Sequence, residues 1–242
     1  MSMYFTKQSL LLSLINLSLH IMKNILITGA TTGLGLSLKQ HYESQWYTVY
    51  NLSRSSNEFV CDLSNKDSII ACANNIKQQW IVFDIIVACA GGWEIRSIDT
   101  IDRDTANSEW QINTLWYALL ISELWDEIKA HDTDIVVIGA TIWYKANEYM
   151  PMYSVTKRWL RWLVENRRAW LKSTKSRVML ISPGWLDTES NIGPNGRETI
   201  ISQQINKSVA TMIPTKELAE YIYHTTNLPK IMEVSEIIIN RK

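Results

Sequence analysis

The sequence predicts an α/β fold in which a doubly wound, mainly parallel seven-stranded sheet carries helices on both faces. Three observations lead there. Short apolar runs of strand length are separated by longer segments with helical spacing. One run, Asp84 to Ala88, is apolar in every residue after the first, the pattern of a strand buried on both faces of a parallel sheet. The first run, Ile25 to Ile27, passes at once into Thr28, Gly29, Gly33 and Gly35 and then into Leu34, Leu38 and Tyr42 at helical spacing, which reads as strand, tight glycine turn and helix.

With 242 residues and 46% hydrophobic content, the chain can enclose one large core, so a single domain is expected. Lys plus Arg and Asp plus Glu number 24 each, which leaves no global field to draw nucleic acid or an anionic membrane. Cys61, Cys72 and Cys89 are odd in number, sit in apolar stretches and lack a CxxC spacing. Neither a disulfide nor a metal site is expected, and a reducing cytoplasm suits the chain. Eleven tryptophans are many for this length, and several recur at helical spacing, which assigns most of them to core or subunit interface.

Residues Met1 to Met22 stand outside the pattern. Lys7 followed by the run Leu10 to Leu19 is like a signal peptide, but Ser and Asn interrupt the run, no small-residue cleavage site follows, and the run is too short to span a bilayer. Met22, directly before Lys23 and Asn24, reads as the natural start, with the preceding residues an extension that packs poorly or forms a loose helix. The domain is therefore placed at 23–242.

Glycines between a strand and a helix let backbone N–H groups approach a pyrophosphate, so Gly29 to Gly35, with Thr31, Thr32, Gly33 and Leu34 between, is the expected phosphate cradle. Tyr47 to Leu52 is the second strand and ends in Ser53-Arg54. An acid near this position holds adenosine ribose hydroxyls, whereas a base receives a 2′-phosphate; Arg54 therefore points to NADP(H) over NAD(H), the other reading being a surface arginine in a Ser-rich loop. Glu58 to Cys61 is a short third strand closed by Asp62-Leu63-Ser64, where Asp62 seats the adenine or caps the next helix and Ser64 is an equal candidate cap.

Helix Asp67 to Gln79 follows, then the fourth strand, which ends in Ala90-Gly91-Gly92 at the expected cofactor crevice. Thr105 to Lys129 reads as one long helix with a single odd polar residue, Asn113, either exposed or buried with partners. The fifth strand, Asp134 to Ile138, leads into Gly139-Ala140-Thr141 and an aromatic loop holding Trp143, Tyr144 and Tyr149.

Pro151 opens a second long helix with Tyr153 and Lys157 at i, i+4 spacing, on one face. A nearby ammonium stabilises phenolate, so Lys157 is expected to lower the Tyr153 pKa and create an acid/base pair. Val178 to Ile181 is the sixth strand and ends in Ser182-Pro183-Gly184-Trp185. Glu189 to Thr211 reads as a candidate lid, Thr215 as the cap of the last helix, and Glu236 to Asn240 as the closing strand.

These pieces in this order resemble the short-chain dehydrogenase/reductase family, a Rossmann-type fold, from Lys23 to the C-terminus. The T-G-x-x-x-G-x-G turn is present as Thr28, Gly29, Gly33 and Gly35, and Y-x-x-x-K as Tyr153 and Lys157. The helix asparagine is Asn113, the acid after the third strand Asp62, and P-G-x-x-x-T is Pro183, Gly184 and Thr188. The resemblance implies hydride transfer between nicotinamide C4 and a carbonyl carbon, with Tyr153 moving the proton. Lys157 would hold the nicotinamide ribose, and Asn113 would fix a water that relays protons to the lysine.

Two positions depart from the family. Its usual N-N-A-G is here Ala88, Cys89, Ala90 and Gly91, and the serine that polarises the carbonyl is replaced by Ala140. The neighbouring Thr141 carries a hydroxyl and takes the serine's role if the following loop is tighter by one residue; otherwise one donor to the transition state is lost. The leading reading is a reductase of a small or medium, partly apolar carbonyl compound, with Trp93, Trp143, Tyr144, Tyr149 and Trp185 about the pocket. The rival is a catalytically weakened protein that senses NADP(H) or serves as a structural partner. Trp116, Trp125, Trp159, Trp162 and Trp170 lie on the helices that pair subunits in this family, so a homodimer or homotetramer is expected.

Overall fold

The computed structural model describes residues 22–144, 147–192 and 212–241. The seven strands are β1 (Asn24–Thr28), β2 (Thr48–Ser53), β3 (Phe59–Val60), β4 (Ile85–Ala88), β5 (Asp134–Ile138), β6 (Val178–Pro183) and β7 (Glu236–Ile239). All pair in parallel, in the order β3-β2-β1-β4-β5-β6-β7, with Leu26 opposite both Tyr50 and Ile86. The chain winds outward from β1 to β3 and then returns to lay β4 on the other side of β1. That reversal leaves a crevice at the carboxyl ends of β1 and β4.

Two cores follow from the period of two along each strand. Leu26, Ile86, Val137 and Leu180 point to one face and pack against helices α2 (Lys66–Gln78), α4 (Trp116–Glu123) and α6 (Pro151–Leu171), through Ile69, Tyr117, Leu120, Leu160 and Val164. Ile25, Ile27, Val87, Val136 and Met179 point to the other and meet α1 (Gly33–Ser44) and α8 (Thr215–Thr226) through Leu38, Tyr42, Leu218 and Ile222. Each such side chain stabilises the fold by about 1.5–3 kcal/mol when fully buried. At the amino ends of the strands, Arg177 meets Asp134 at 2.6 Å with both side chains buried, and its remaining N–H groups donate to the carbonyls of Thr226, Leu228 and Met232. This pair fastens β5 and β6 to the segment leaving α8.

The expected long helix from Thr105 to Lys129 is continuous as far as Glu123, but it comprises four segments, the last set apart by a break. They are α3 (Arg103–Trp110), a π-helical turn at Gln111–Leu115, α4, and α5 (Trp125–Ala130), which is set off by Leu124 at φ −99°, ψ 15°. The π turn is centred on Asn113, whose amide is committed to the Gly92 backbone.

Two expected caps are also corrected. Asn65, rather than Asp62 or Ser64, accepts the Ser68 N–H at the start of α2. Thr215 does not cap α8; its own N–H is taken by Asp187 at 2.7 Å, from the loop after β6.

The short helix α7 (Glu189–Ile192) opens the candidate lid, and the rest of Glu189–Thr211 lies outside the described residues, as does the extension Met1–Met22 apart from Met22 itself. Among the described residues no helix is long and apolar enough to cross a membrane.

Candidate functional site

One cavity of about 1970 Å³ runs along the carboxyl ends of the strands. Of the residues singled out from the sequence, Gly29, Thr31, Thr32, Gly33, Leu34, Gly35, Arg54, Asp62, Leu63, Ala90 and Gly91 line it. Thr141, Tyr153, Lys157, Pro183, Gly184 and Thr188 line it as well. Asn113 lies behind this wall and is buried.

The glycine turn has the geometry its sequence requires. Gly29 and Gly33 have φ of 72° and 54°, and a Cβ on Gly35 would stand 2.2 Å from the Gly29 carbonyl oxygen. Asn51 Oδ1 accepts the Ala30 N–H at 3.1 Å and braces the turn from β2. This support was not read from the sequence, where Asn51 is one polar residue in a strand. The first turn of α1 holds no acidic residue, and its capping Thr32 makes no side-chain bond to it. Unbonded N–H groups and the positive end of the helix dipole therefore face the cavity and suit a phosphate.

At the rim, Asp62 Oδ1 accepts from the Ser64 N–H and hydroxyl at 2.9 and 2.7 Å. These bonds, with a smaller contribution from the Arg54 charge, hold its carboxyl below the usual range. The segment Ala88 to Gly91, which lacks the amides, is held by Thr28, whose hydroxyl accepts the N–H groups of both Cys89 and Ala90, at 3.0 and 3.1 Å.

Asn113 grips the loop after β4 at two points. Its Oδ1 accepts the Gly92 N–H at 3.0 Å and its Nδ2 donates to the Gly92 carbonyl at 2.8 Å. A Cβ on Gly91 would lie 3.0 Å from Asn113 Oδ1 and 3.4 Å from Lys157 Nζ, so glycine lets asparagine, lysine and crevice converge.

Lys157 is buried and donates to the Ile138 carbonyl at 3.1 Å; desolvation pulls its ammonium down to about 8. Its Nζ stands 5.6 Å from the centroid of the Tyr153 ring. The expectation that Lys157 lowers the Tyr153 pKa is not met. Burial raises the phenol, and the Glu109 carboxylate raises it further. Glu109 is itself buried on α3, one helical turn before Asn113, and accepts the Glu94 N–H at 2.8 Å. Its trace in the sequence is a lone acid at i−4 from the odd asparagine.

Ala140 and Thr141 both line the cavity beside Tyr153. Thr141 opens a 3₁₀ turn, Thr141–Trp143, and its hydroxyl makes no hydrogen bond among the described residues. Trp143, expected at the pocket, is turned away from it: its indole N–H donates to Ser182 Oγ at 3.3 Å, and Arg161 stacks on its ring at 4.5 Å. Trp93, Tyr144, Tyr149 and Trp185 do line the cavity.

The loop after β6 is anchored by Gly184 N–H to the Ile239 carbonyl at 2.8 Å, and Thr188 reaches the glycine turn, its Cγ2 being 3.1 Å from where a Gly33 Cβ would stand. Two ends of the chain's motif set thus meet over one opening.

A family model described as short chain dehydrogenase matches residues 23–197. Among solved structures, an alcohol dehydrogenase from the archaeon Thermococcus sibiricus complexed with 5-hydroxy-NADP is similar with a TM-score of 0.77 and 19% identity, covering 91% of this chain and 97% of that one. The closed form of serine dehydrogenase complexed with NADP+ gives 0.79 and 20%, covering 89% and 94%. 4-Hydroxyisoleucine dehydrogenase complexed with NADH gives 0.79 and 20%, covering 90% and 97%. These likenesses show a common fold. Among curated proteins no sequence matches significantly.

Proposed function

Because the chain belongs to the short-chain dehydrogenase family, we propose that it is an NADP(H)-dependent oxidoreductase acting between a carbonyl compound and its alcohol, working as a carbonyl reductase. The observation that carries this reading is that Lys157, which meets Asn113 at Gly91, stands 5.6 Å from the Tyr153 ring and lines with it the same cavity as the glycine turn.

The residues fit the dinucleotide. A Cβ-free turn at a helix start would hold the pyrophosphate, while Asp62 and Leu63 in the cavity wall would hold the adenine and Arg54 the 2′-phosphate, where β2 ends without an acid. Two proteins of similar fold are complexed with NADP forms and one with NADH, which supports NADP(H) with NAD(H) as the alternative. Ala90, Gly91, Pro183, Gly184 and Thr188, which line the same cavity, would wall the nicotinamide. When bound, the dinucleotide supplies the hydride.

Tyr153 donates its proton to the carbonyl oxygen in reduction and takes one back from the alcohol in oxidation. A phenol whose pKa is raised by burial stays protonated at neutral pH and is ready for the first role. Lys157, with one N–H on the Ile138 carbonyl, would hold the nicotinamide ribose with those that remain. Asn113 acts through Gly92, and the N–H and lone pair that its amide has left serve a proton-relaying water. Thr141 supplies the second donor to the carbonyl oxygen in place of the serine that Ala140 replaces.

A second reading, a weakened sensor of NADP(H) or a structural partner, is favoured by the Ala140 methyl in the cavity wall. Fluorescence titration with NADPH and NADH, followed by a screen of carbonyl compounds with Tyr153→Phe as control, separates the two. Cofactor binding without turnover selects the sensor, and turnover that survives Tyr153→Phe removes the mechanism.

We also propose residues 23–242 as one domain, and a homodimer or homotetramer in the cytoplasm. Trp159, Trp162 and Trp170 on α6 are 53%, 59% and 70% exposed, a coverage only a partner would complete. Trp116 is excluded from that surface, being buried with its N–H on the Ile112 carbonyl. Sedimentation as a monomer at micromolar protein would remove the assembly.

A further inference from the structure

Trp93 follows β4 and Trp185 follows β6, with β5 between the two strands. Strands separated by one neighbour lie about 10 Å apart. Their indoles nevertheless meet, with ring centroids 5.3 Å apart and planes at 81°. The contact therefore reaches across the carboxyl end of β5, where Gly139, Ala140 and Thr141 begin the next loop. Both tryptophans are partly exposed and line the same cavity as Ala140, Thr141 and Tyr153.

Two perpendicular indoles make a corner, one ring offering its face and the other its edge. A flat aromatic ring laid into such a corner stacks on one and meets the other edge to face, both being preferred arrangements. Saturated rings and open chains gain neither. Ile112, Ile142 and Met150 also line the cavity, and Ala140 adds a methyl where a hydroxyl would have asked for a partner.

We propose that Trp93 and Trp185 form an aryl-binding subsite, so that the substrate is a carbonyl compound or alcohol with an aromatic group beside the reacting carbon. The proposal rests on the reductase reading for its chemistry, and it names the substrate class of that same site.

The test compares acetophenone with cyclohexyl methyl ketone, equal in carbon count but not flat, using the full chain with NADPH. Wild type, Trp93→Leu, Trp185→Leu and Trp185→Phe are compared, with circular dichroism and melting used to select folded variants. Wild type is expected to favour the aryl ketone in kcat/KM by about ten-fold, carried mainly by KM. The leucine variants are expected to lose most of that ratio, and Trp185→Phe to keep most of it.

A wild-type ratio near one, or a ratio unchanged in both leucine variants, overturns the subsite while leaving the reductase reading in place. If neither ketone is turned over, the reductase reading is what fails. The subsite is then judged by saturation-transfer NMR of acetophenone on the protein with NADP+, where contacts absent from wild type or undiminished in both leucine variants overturn it.

Discussion

Lys157 Nζ donates to the Ile138 carbonyl at 3.1 Å while standing 5.6 Å from the Tyr153 ring centroid. The ammonium is thus tied to the end of β5, in a place that burial makes unfavourable for charge. Desolvation lowers its pKa from 10.5 to about 8.

The sign of the resulting stability change follows from proton counting. Between about pH 8 and 10.5 the unfolded chain holds this proton and the folded one does not, so the penalty is full below pH 8 and is lifted as pH rises through that window. Lys157→Met, which removes the charge, is expected to abolish turnover and yet to gain on wild type at pH 7 relative to pH 10, by about 2–3 kcal/mol. Urea melts of both proteins at the two pH values measure it. A difference that does not change with pH would remove the desolvated ammonium from the account.

Glu109 acts on the other member of the pair. Its carboxylate raises the Tyr153 phenol beyond what burial does. Glu109→Gln keeps an oxygen for the Glu94 N–H, bonded at 2.8 Å in the native chain, but loses the charge. The Tyr153 pKa should then fall. Reduction needs the protonated phenol, so the alkaline limb of its kcat/KM profile should move to lower pH, while the limb for alcohol oxidation, which needs the phenolate, moves the same way and gains activity. A profile that keeps its position with reduced amplitude would make Glu109 a packing residue only.

The parts of this site that could be read in the sequence are those with local causes. Strands announce themselves by apolar runs, and the Gly29, Gly33 and Gly35 turn by a backbone conformation or a contact that a Cβ forbids. What could not be read depends on partners far along the chain. The π turn at Gln111–Leu115 centres on Asn113, which pairs with Gly92, twenty-one residues earlier. Asp187 caps a helix that begins at Thr215, and Ser182 draws Trp143 away from the cavity. At the start of α2 the cause is local but ambiguous: Asp62, Ser64 and Asn65 are all competent to cap and lie close together, Asp62 turns to Ser64, and Asn65 takes the Ser68 N–H.

Arg54 sits at the end of β2 on the cavity rim, exposed, with Asp62 near enough to feel its charge. A guanidinium bonded to a 2′-phosphate contributes through charged hydrogen bonds of about 1.5–3 kcal/mol, or roughly ten-fold to a hundred-fold in affinity. Arg54→Asp should lose at least that much for NADPH and leave NADH binding equal or tighter, as read by fluorescence titration. Equal losses for both cofactors would place Arg54 in turn stability instead of 2′-phosphate recognition.

The substrate carbonyl oxygen needs a second donor beside Tyr153. Ala140 presents a methyl to the cavity, and Thr141, the next residue, also lines it, with a hydroxyl that no described residue engages. A donor aimed at the developing oxyanion is worth about 10²–10³ in kcat where it has been removed from other enzymes. If Thr141 fills that role, Thr141→Ala should lower kcat by about that factor with little change in KM, because the interaction strengthens mainly in the transition state. Ala140→Ser on the Thr141→Ala background should restore part of the loss by returning a hydroxyl beside Tyr153. Were Thr141→Ala harmless and Ala140→Ser alone to raise kcat, the natural chain would be one that binds its cofactor well and turns over slowly, with Ala140 as the cause.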